Sequence, residues 1–235
     1  MSVSKRPRFY FSLRSPYSWL AYRELLDRYP RVAEQVDWVP FWEPDEESSR
    51  LLAALGGTFP YSTMSRAKAL YILQDVKRLA ADRGLAFAWP VDRDPVWEIP
   101  HLGYLAAQRA GVGREYIALA YRARWEEGRD ICDRSTVASI AIELGLDPDV
   151  VAAASDDPGL RAAGAVVLQE ICRDGVFGVP FFVHRFSRYW GLERLGAFAS
   201  HLALDAPPAD AMPEPVGVAV GVGTSSDEGH AGGCG

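Results

Sequence analysis

Residues 8–28 read RFYFSLRSPYSWLAYRELLDR. The first six run apolar more than they alternate, which suits a strand buried on both faces, and Arg14-Ser15-Pro16 then breaks the run. A helix is expected at once. Ser15 is a natural N-cap, Pro16 suits the first helical position because its missing N–H has no acceptor there anyway, and Trp19, Leu20, Tyr22, Leu25 and Leu26 give an apolar face as far as Arg28. QVDWVPFW, residues 35–42, reads as a second strand, closed by Pro44. The chain therefore opens as a β-α-β unit.

From Ser48 to about Asp174 the pattern turns helical. The clearest run is SRAKALYILQDVKRLAADRG, residues 65–84, where Ile72, Val76, Leu79 and Ala80 recur at helical spacing and Gly84 ends the helix. Further helices fit Gly103–Ala110, Glu115–Glu126, Ser135–Leu144 and Pro158–Arg173, with LAFAWPVDRDPVW (85–97) as a bulky, proline-rich connection. After Gly175, VFGVPFFVHRFSRYWG gives two short β-rich stretches around a turn, and LERLGAFASHLAL gives a closing helix. A helical block between a β-α-β half and a β-β-α half is an α/β domain with a large insertion, and periodicity alone allows more than one arrangement of it. The two halves cover residues 8–47 and 175–204, the insertion 48–174. Past Asp205 the composition is Ala, Pro, Gly, Val and Ser, and disorder is expected over 205–235.

Composition excludes several classes of function. The net charge is −6, and the five acids after Leu204, with no Lys or Arg among them, account for most of it. The body is close to neutral, so nothing suggests nucleic acid. No apolar run is long enough to cross a bilayer, and the basic start is not followed by an apolar stretch, so no membrane association and a cytoplasmic location are expected. The three cysteines (Cys132, Cys172, Cys234) are widely spaced, with no CxxC and no zinc-type pairing with the four scattered histidines. Neither a disulfide framework nor a metal centre is expected, and Cys132 and Cys172 read as small buried hydrophobes.

Three stretches, FYFSLRSPYSWLAY (9–22), GVFGVPFFV (175–183) and YWGLERL (189–195), carry a resemblance, supported by AKALYILQDVKRLAADRG and EGRDICD. Over residues 8–203 the chain resembles the thioredoxin-like group that includes 2-hydroxychromene-2-carboxylate isomerases and kappa-class glutathione transferases, relatives of the DsbA-type disulfide oxidoreductases. The resemblance implies a thioredoxin-like fold with a large helical insertion. It also implies a bound thiol, glutathione or another small one, whose sulfur Ser15 holds ionised at the helix start. Ser15-Pro16-Tyr17-Ser18 stands where an oxidoreductase has Cys-x-x-Cys, and serine cannot cycle through a disulfide. By residue type alone Ser15 is simply an N-cap.

The same resemblance implies a cis Val179–Pro180 bond that presents the Val179 backbone to a peptide-like ligand; on sequence alone Pro180 would be a trans proline starting a strand. It places Lys68 at the glycyl carboxylate of glutathione, although a lysine on a helix surface is as readily a solvated one. It places Leu192 and Glu193 at the γ-glutamyl end, where the family usually has a small polar residue and then an acid. Here the acid is kept and the polar residue is not. For a second, flat aromatic substrate the chain offers Tyr17, Trp42, Phe59, Trp89, Trp97 and Trp190, each of which by type is more often core than pocket.

The implied function is isomerisation of an unsaturated aromatic keto acid by reversible thiolate addition, bond rotation and elimination, with Tyr17 or Ser18 stabilising the oxyanion. The alternatives are a kappa-like glutathione transferase, a cofactor-independent isomerase or cyclase in specialised metabolism, and a non-catalytic binding module. Related enzymes are commonly dimers, so a homodimer is expected.

Overall fold

The computed structural model describes residues 6–60 and 64–202. In chain order the elements are β1 (Arg8–Phe11), α1 (Pro16–Arg28), α2 (Pro30–Gln35), β2 (Asp37–Pro40), α3 (Glu46–Ala54), α4 (Arg66–Asp82), α5 (Glu98–Arg109), α6 (Gly113–Tyr121), α7 (Arg134–Glu143), α8 (Pro148–Ala152), α9 (Pro158–Asp174), β3 (Phe181–His184), β4 (Ser187–Trp190) and α10 (Leu195–Leu202). A π-helical turn, Arg122–Glu126, extends α6, and a 3-10 turn, Leu192–Arg194, leads into α10. The strands form one sheet in the order β2-β1-β3-β4, with β1 parallel to β2 and antiparallel to β3. The β-α-β and β-β-α halves thus share one sheet, with the helical block inserted between them.

β1 is central and buried along its whole length, as its apolar run requires. Side chains alternate across a strand. On one face Phe9 stacks on Phe182 at 4.9 Å, and Phe182 stacks on Phe198 of α10 at 5.0 Å. On the other, Arg8 and Tyr10 reach the last turns of α9. Arg8 Nη1 lies 2.6 Å from Glu170 Oε1 and 2.5 Å from Asp174 Oδ2, and the Tyr10 hydroxyl donates to Asp174 at 2.5 Å.

Several boundaries differ from those read in the sequence. The second strand is shorter than QVDWVPFW, because Val36 still closes α2 with an N–H to the Val32 carbonyl and the chain leaves the sheet after Pro40. α2 itself is an added six-residue helix. α5 starts at Glu98 rather than Gly103: Pro100 falls in its first turn, where a missing N–H breaks no intrahelical bond. α3 and α8 were not resolved as separate helices in the sequence. Cys234 and the stretch 205–235 lie outside the described residues.

Candidate active site

The site grows from the N-terminus of α1. Ser15 is extended (φ −85°, ψ 123°), and its hydroxyl oxygen accepts the Ser18 N–H at 3.2 Å. That uses one lone pair and leaves the hydroxyl proton to donate elsewhere. No acidic residue sits in the first turn of α1, so the partial positive charge of its exposed amides is not neutralised within the helix.

The approach to Ser15 is fixed from below. Ser15 N–H donates to the Ser12 carbonyl (3.1 Å), which also accepts the Tyr121 hydroxyl (3.1 Å). Leu13 N–H donates to His101 Nε2 at 3.2 Å, while His101 Nδ1 lies 2.7 Å from the Trp97 carbonyl. These contacts assign the proton to Nδ1 and leave Nε2 as the acceptor. His101 is fully buried, and burial, aided by the charges of Arg124 and Arg14 and opposed by the Trp97 hydrogen bond, brings its pKa down to about 3.

Just before β3, which pairs with β1, the Val179–Pro180 bond is cis. The Pro180 carbonyl accepts the Gly191 N–H at 3.0 Å, whereas the N–H and C=O of Val179 take no partner among the described residues. Phe177 and Trp190 stand exposed around this loop, 4.9 Å apart and edge to face. A side chain at Gly178 would meet the Trp190 indole nitrogen at 3.1 Å, so glycine is what lets this corner close.

α4 forms a further wall. The Tyr17 hydroxyl donates to Asp75 at 2.7 Å; burial, this bond and the negative charges of Asp75 and Glu193 all keep the phenol protonated. Burial opposes the charge on Asp75, yet hydrogen bonds from Tyr17, Arg78 and Tyr71 hold its carboxyl below the usual range. Tyr17 is therefore committed to Asp75 and is not a free oxyanion donor. Nor is Ser18: its hydroxyl oxygen accepts Ser12 N–H at 3.2 Å, which leaves its proton, but the side chain is fully buried away from any ligand.

The remaining residues singled out in the sequence fall into two groups. Ser15 and Tyr17 open α1, Val179 and Pro180 lead into β3, whose Phe181 pairs with Tyr10 of β1, and Glu193 lies in the turn that packs on α1; Lys68 is exposed on the first turn of α4, the helix that carries Asp75. Leu192 is 4% exposed, its side chain packed in the core, and has nothing polar to offer a ligand. Trp42 and Trp97 are not open cleft walls. Trp42 is 2% exposed and stacked on His101 at 5.5 Å; Trp97 is 5% exposed and carries the guanidinium groups of Arg14 and Arg124 at 5.1 and 5.2 Å from its ring centre. Phe59 packs against Phe41 and is half-buried.

Arg14, Asp75, His101 and Phe177 were not singled out in the sequence. Only Asp75 left a signal, one helical turn beyond Tyr71. Cys132 and Cys172 are half-buried free thiols, Cys172 beside the Thr58 carbonyl, and burial pushes Cys132 up to about 12. A cavity of about 650 Å³ runs along the outer edge of β2, beside Trp38, Tyr104 and Arg114, and is lined by none of Ser15, Tyr17, Lys68, Val179, Pro180 and Glu193. Among the described residues no cluster of three His, Cys, Asp or Glu could hold a metal, and no helix is long and apolar enough to cross a membrane.

Comparison with known proteins agrees with this fold. The chain is 24% identical over 201 residues to a 2-hydroxychromene-2-carboxylate isomerase of Sphingobium xenophagum, covering 85% of this chain and 99% of that one. A solved 2-hydroxychromene-2-carboxylate isomerase superposes with a TM-score of 0.64 at 21% identity, over 84% of this chain and 94% of the other. The cytosolic disulfide reductase DsbM of Pseudomonas aeruginosa, solved with GSH, superposes with a TM-score of 0.55 at 21% identity, over 84% and 96% of the two chains. At these identities the structures share a fold. The profile of the DSBA-like thioredoxin domain matches residues 8–203, and the chain belongs to that family.

Proposed function

We propose that the protein is a thiol-dependent isomerase acting on an unsaturated aromatic keto acid or a related small molecule. The observation that carries this reading is a serine hydroxyl with a free proton, at a helix N-terminus without acidic residues, where the family's oxidoreductases hold a cysteine. The named isomerase relative supports the reaction class.

The residues fit a small thiol with a peptide-like body. Ser15 and the α1 amides would hold its sulfur as the anion, the unpaired Val179 N–H and C=O would pair with its backbone, and Glu193 and Lys68 would meet an ammonium and a carboxylate. Leu192 does not fit the γ-glutamyl end, so glutathione keeps only part of its usual contacts. Bound there, a thiol supplies reversible nucleophilic addition to a conjugated double bond. Ser15 contributes a limited share: a free thiol ionises near pH ~8.5, and lowering that by about one unit, roughly 1.4 kcal/mol, raises the reactive fraction about tenfold at neutral pH. The rest must come from orienting the acceptor.

Calorimetric titration with reduced glutathione, S-methyl glutathione and a Ser15→Ala variant tests the reading. Glutathione should bind below millimolar concentration, and both the methylated ligand and the variant should weaken binding about five- to tenfold. No binding at millimolar concentration overturns glutathione as the cofactor, and equal binding by all three pairs overturns Ser15 as the group that holds a thiolate. Because Leu192 is buried, the first of those results would favour another cofactor thiol, or an isomerase or cyclase that uses the same cleft without one.

A further inference from the structure

A second cavity, about 310 Å³, lies between the β2–α3 loop and the end of α3, with Leu52, Ala53, Thr58 and Phe59 on its walls and Glu43 at its rim. Its size is at the small end for ligand sites, enough for one ring and a short side chain. The loop that carries Glu43 is held firmly: Glu98 Oε1 accepts Asp45 N–H at 2.6 Å and the Trp42 indole N–H at 3.4 Å. Nearby acids are already met, since Arg161 pairs with Asp45 at 2.8 Å and with Glu47 at 3.5 Å.

Glu43 alone meets the residue next to Ser15. Its carboxylate lies 3.4 Å from Arg14 Nη1, one long contact between side chains 48% and 40% exposed, and it has no other ion pair among the described residues. Such a pair contributes little and engages one of five guanidinium donors. Arg14 is nevertheless not loose, because its guanidinium rests 5.1 Å from the centre of the buried Trp97 ring. The result is an oriented cation next to Ser15, joined to the cavity through its contact with Glu43 of the cavity wall and weakly covered by that carboxylate, which a better one can displace.

We propose that Arg14 and this cavity form the subsite for the acceptor: the carboxylate of a single-ring aromatic acid pairs with Arg14 in place of Glu43, and its ring fills the space beside Leu52 and Phe59. Its role as the acceptor site rests on the isomerase reading; its existence as an aryl-carboxylate site does not. An acid seated there has its carboxylate on the residue next to Ser15, with the carbons that join it to the ring running along the cavity mouth.

The test uses the full chain without any thiol, titrated calorimetrically with trans-cinnamate and with the neutral cinnamamide. Cinnamate should bind more tightly than the amide. Arg14→Gln should weaken cinnamate about tenfold and leave the amide unchanged, with Arg14→Lys in between, because a bidentate, oriented pair is being lost. Glu43→Gln should do the opposite, tightening cinnamate several-fold by removing the competitor, and Phe59→Ala should weaken both ligands. The proposal is overturned by no binding, by equal affinity for acid and amide, by an Arg14→Gln variant that keeps the preference, by a Glu43→Gln variant that loses affinity, or by indifference to Phe59→Ala. A failed glutathione titration leaves this test untouched, so the two ideas fail separately.

Discussion

Replacing His101 with phenylalanine is expected to cost about 3 kcal/mol of unfolding free energy at pH 7.5 and almost nothing at pH 4.5. Phenylalanine keeps a ring against Trp42, which His101 stacks on at 5.5 Å, but it can neither accept the Leu13 N–H nor donate to the Trp97 carbonyl. A buried backbone group left without its partner costs roughly 1–3 kcal/mol. The pH dependence comes from the proton that His101 refuses. Its folded pKa, about 3, lies below its ordinary 6.5 because the ring is buried. Its contribution is therefore complete above pH ~6.5 and is lost as pH falls towards 3, at about 1.4 kcal/mol per unit, while phenylalanine has no such dependence.

Every other titrating group is common to both proteins and cancels in the difference. Urea midpoints measured for the pair at several pH values isolate the histidine. A difference that stays constant from pH 7.5 to 4.5 would mean that His101 binds its proton equally in the folded and unfolded chains. The variant should also bind thiols less tightly, since the Leu13 N–H contact is one of the ties that hold the segment before Ser15.

The β-α-β opening was legible because its signals are local. A serine before a proline at the head of an apolar helical face specifies an N-cap from neighbouring residues alone, and α1 begins where that rule puts it. The same locality explains what was missed. Tyr17 could be placed in the first turn of α1, but its acceptor, Asp75, is 58 residues away on a helix of the insertion. Trp42 and Trp97 have the composition of a binding wall, yet sequence does not say which faces of an indole are covered; one ring is taken by His101 and the other by two arginines. Arg14 reads as an ordinary loop cation until the fold brings Trp97 and Glu43 beside it. The residues that set the backbone of the site were readable, and those that decide its chemistry arrive from distant segments.

The second large effect lies beneath the sheet. Asp174→Ala should destabilise the protein by about 3–5 kcal/mol, because Arg8 and Asp174 are an ion pair with side chains only 6% and 10% exposed, and removing one partner strands a buried charge. Tyr10 would lose its acceptor as well, and Glu170, 34% exposed, would be left to balance Arg8 alone. A combined Arg8→Met, Tyr10→Phe, Asp174→Leu protein removes every member that needs a partner, while Glu170 can turn to water. It should recover most of the loss, making the substitutions strongly non-additive. Urea unfolding of the two variants decides the point: a Asp174→Ala protein within about 1 kcal/mol of the wild type would show that the cluster is solvated, and a triple variant weaker than the single would show that the charges themselves stabilise the fold. Asp174 is also the last residue of α9. Its carbonyl accepts Arg188 Nε of β4 at 2.7 Å, and Gly175 then turns the chain in the left-handed region (φ 67°) into the segment that ends at Pro180. If the triple variant regains stability yet binds thiols less well than the wild type, the buried charges serve to aim that segment at Ser15 rather than to stabilise the domain.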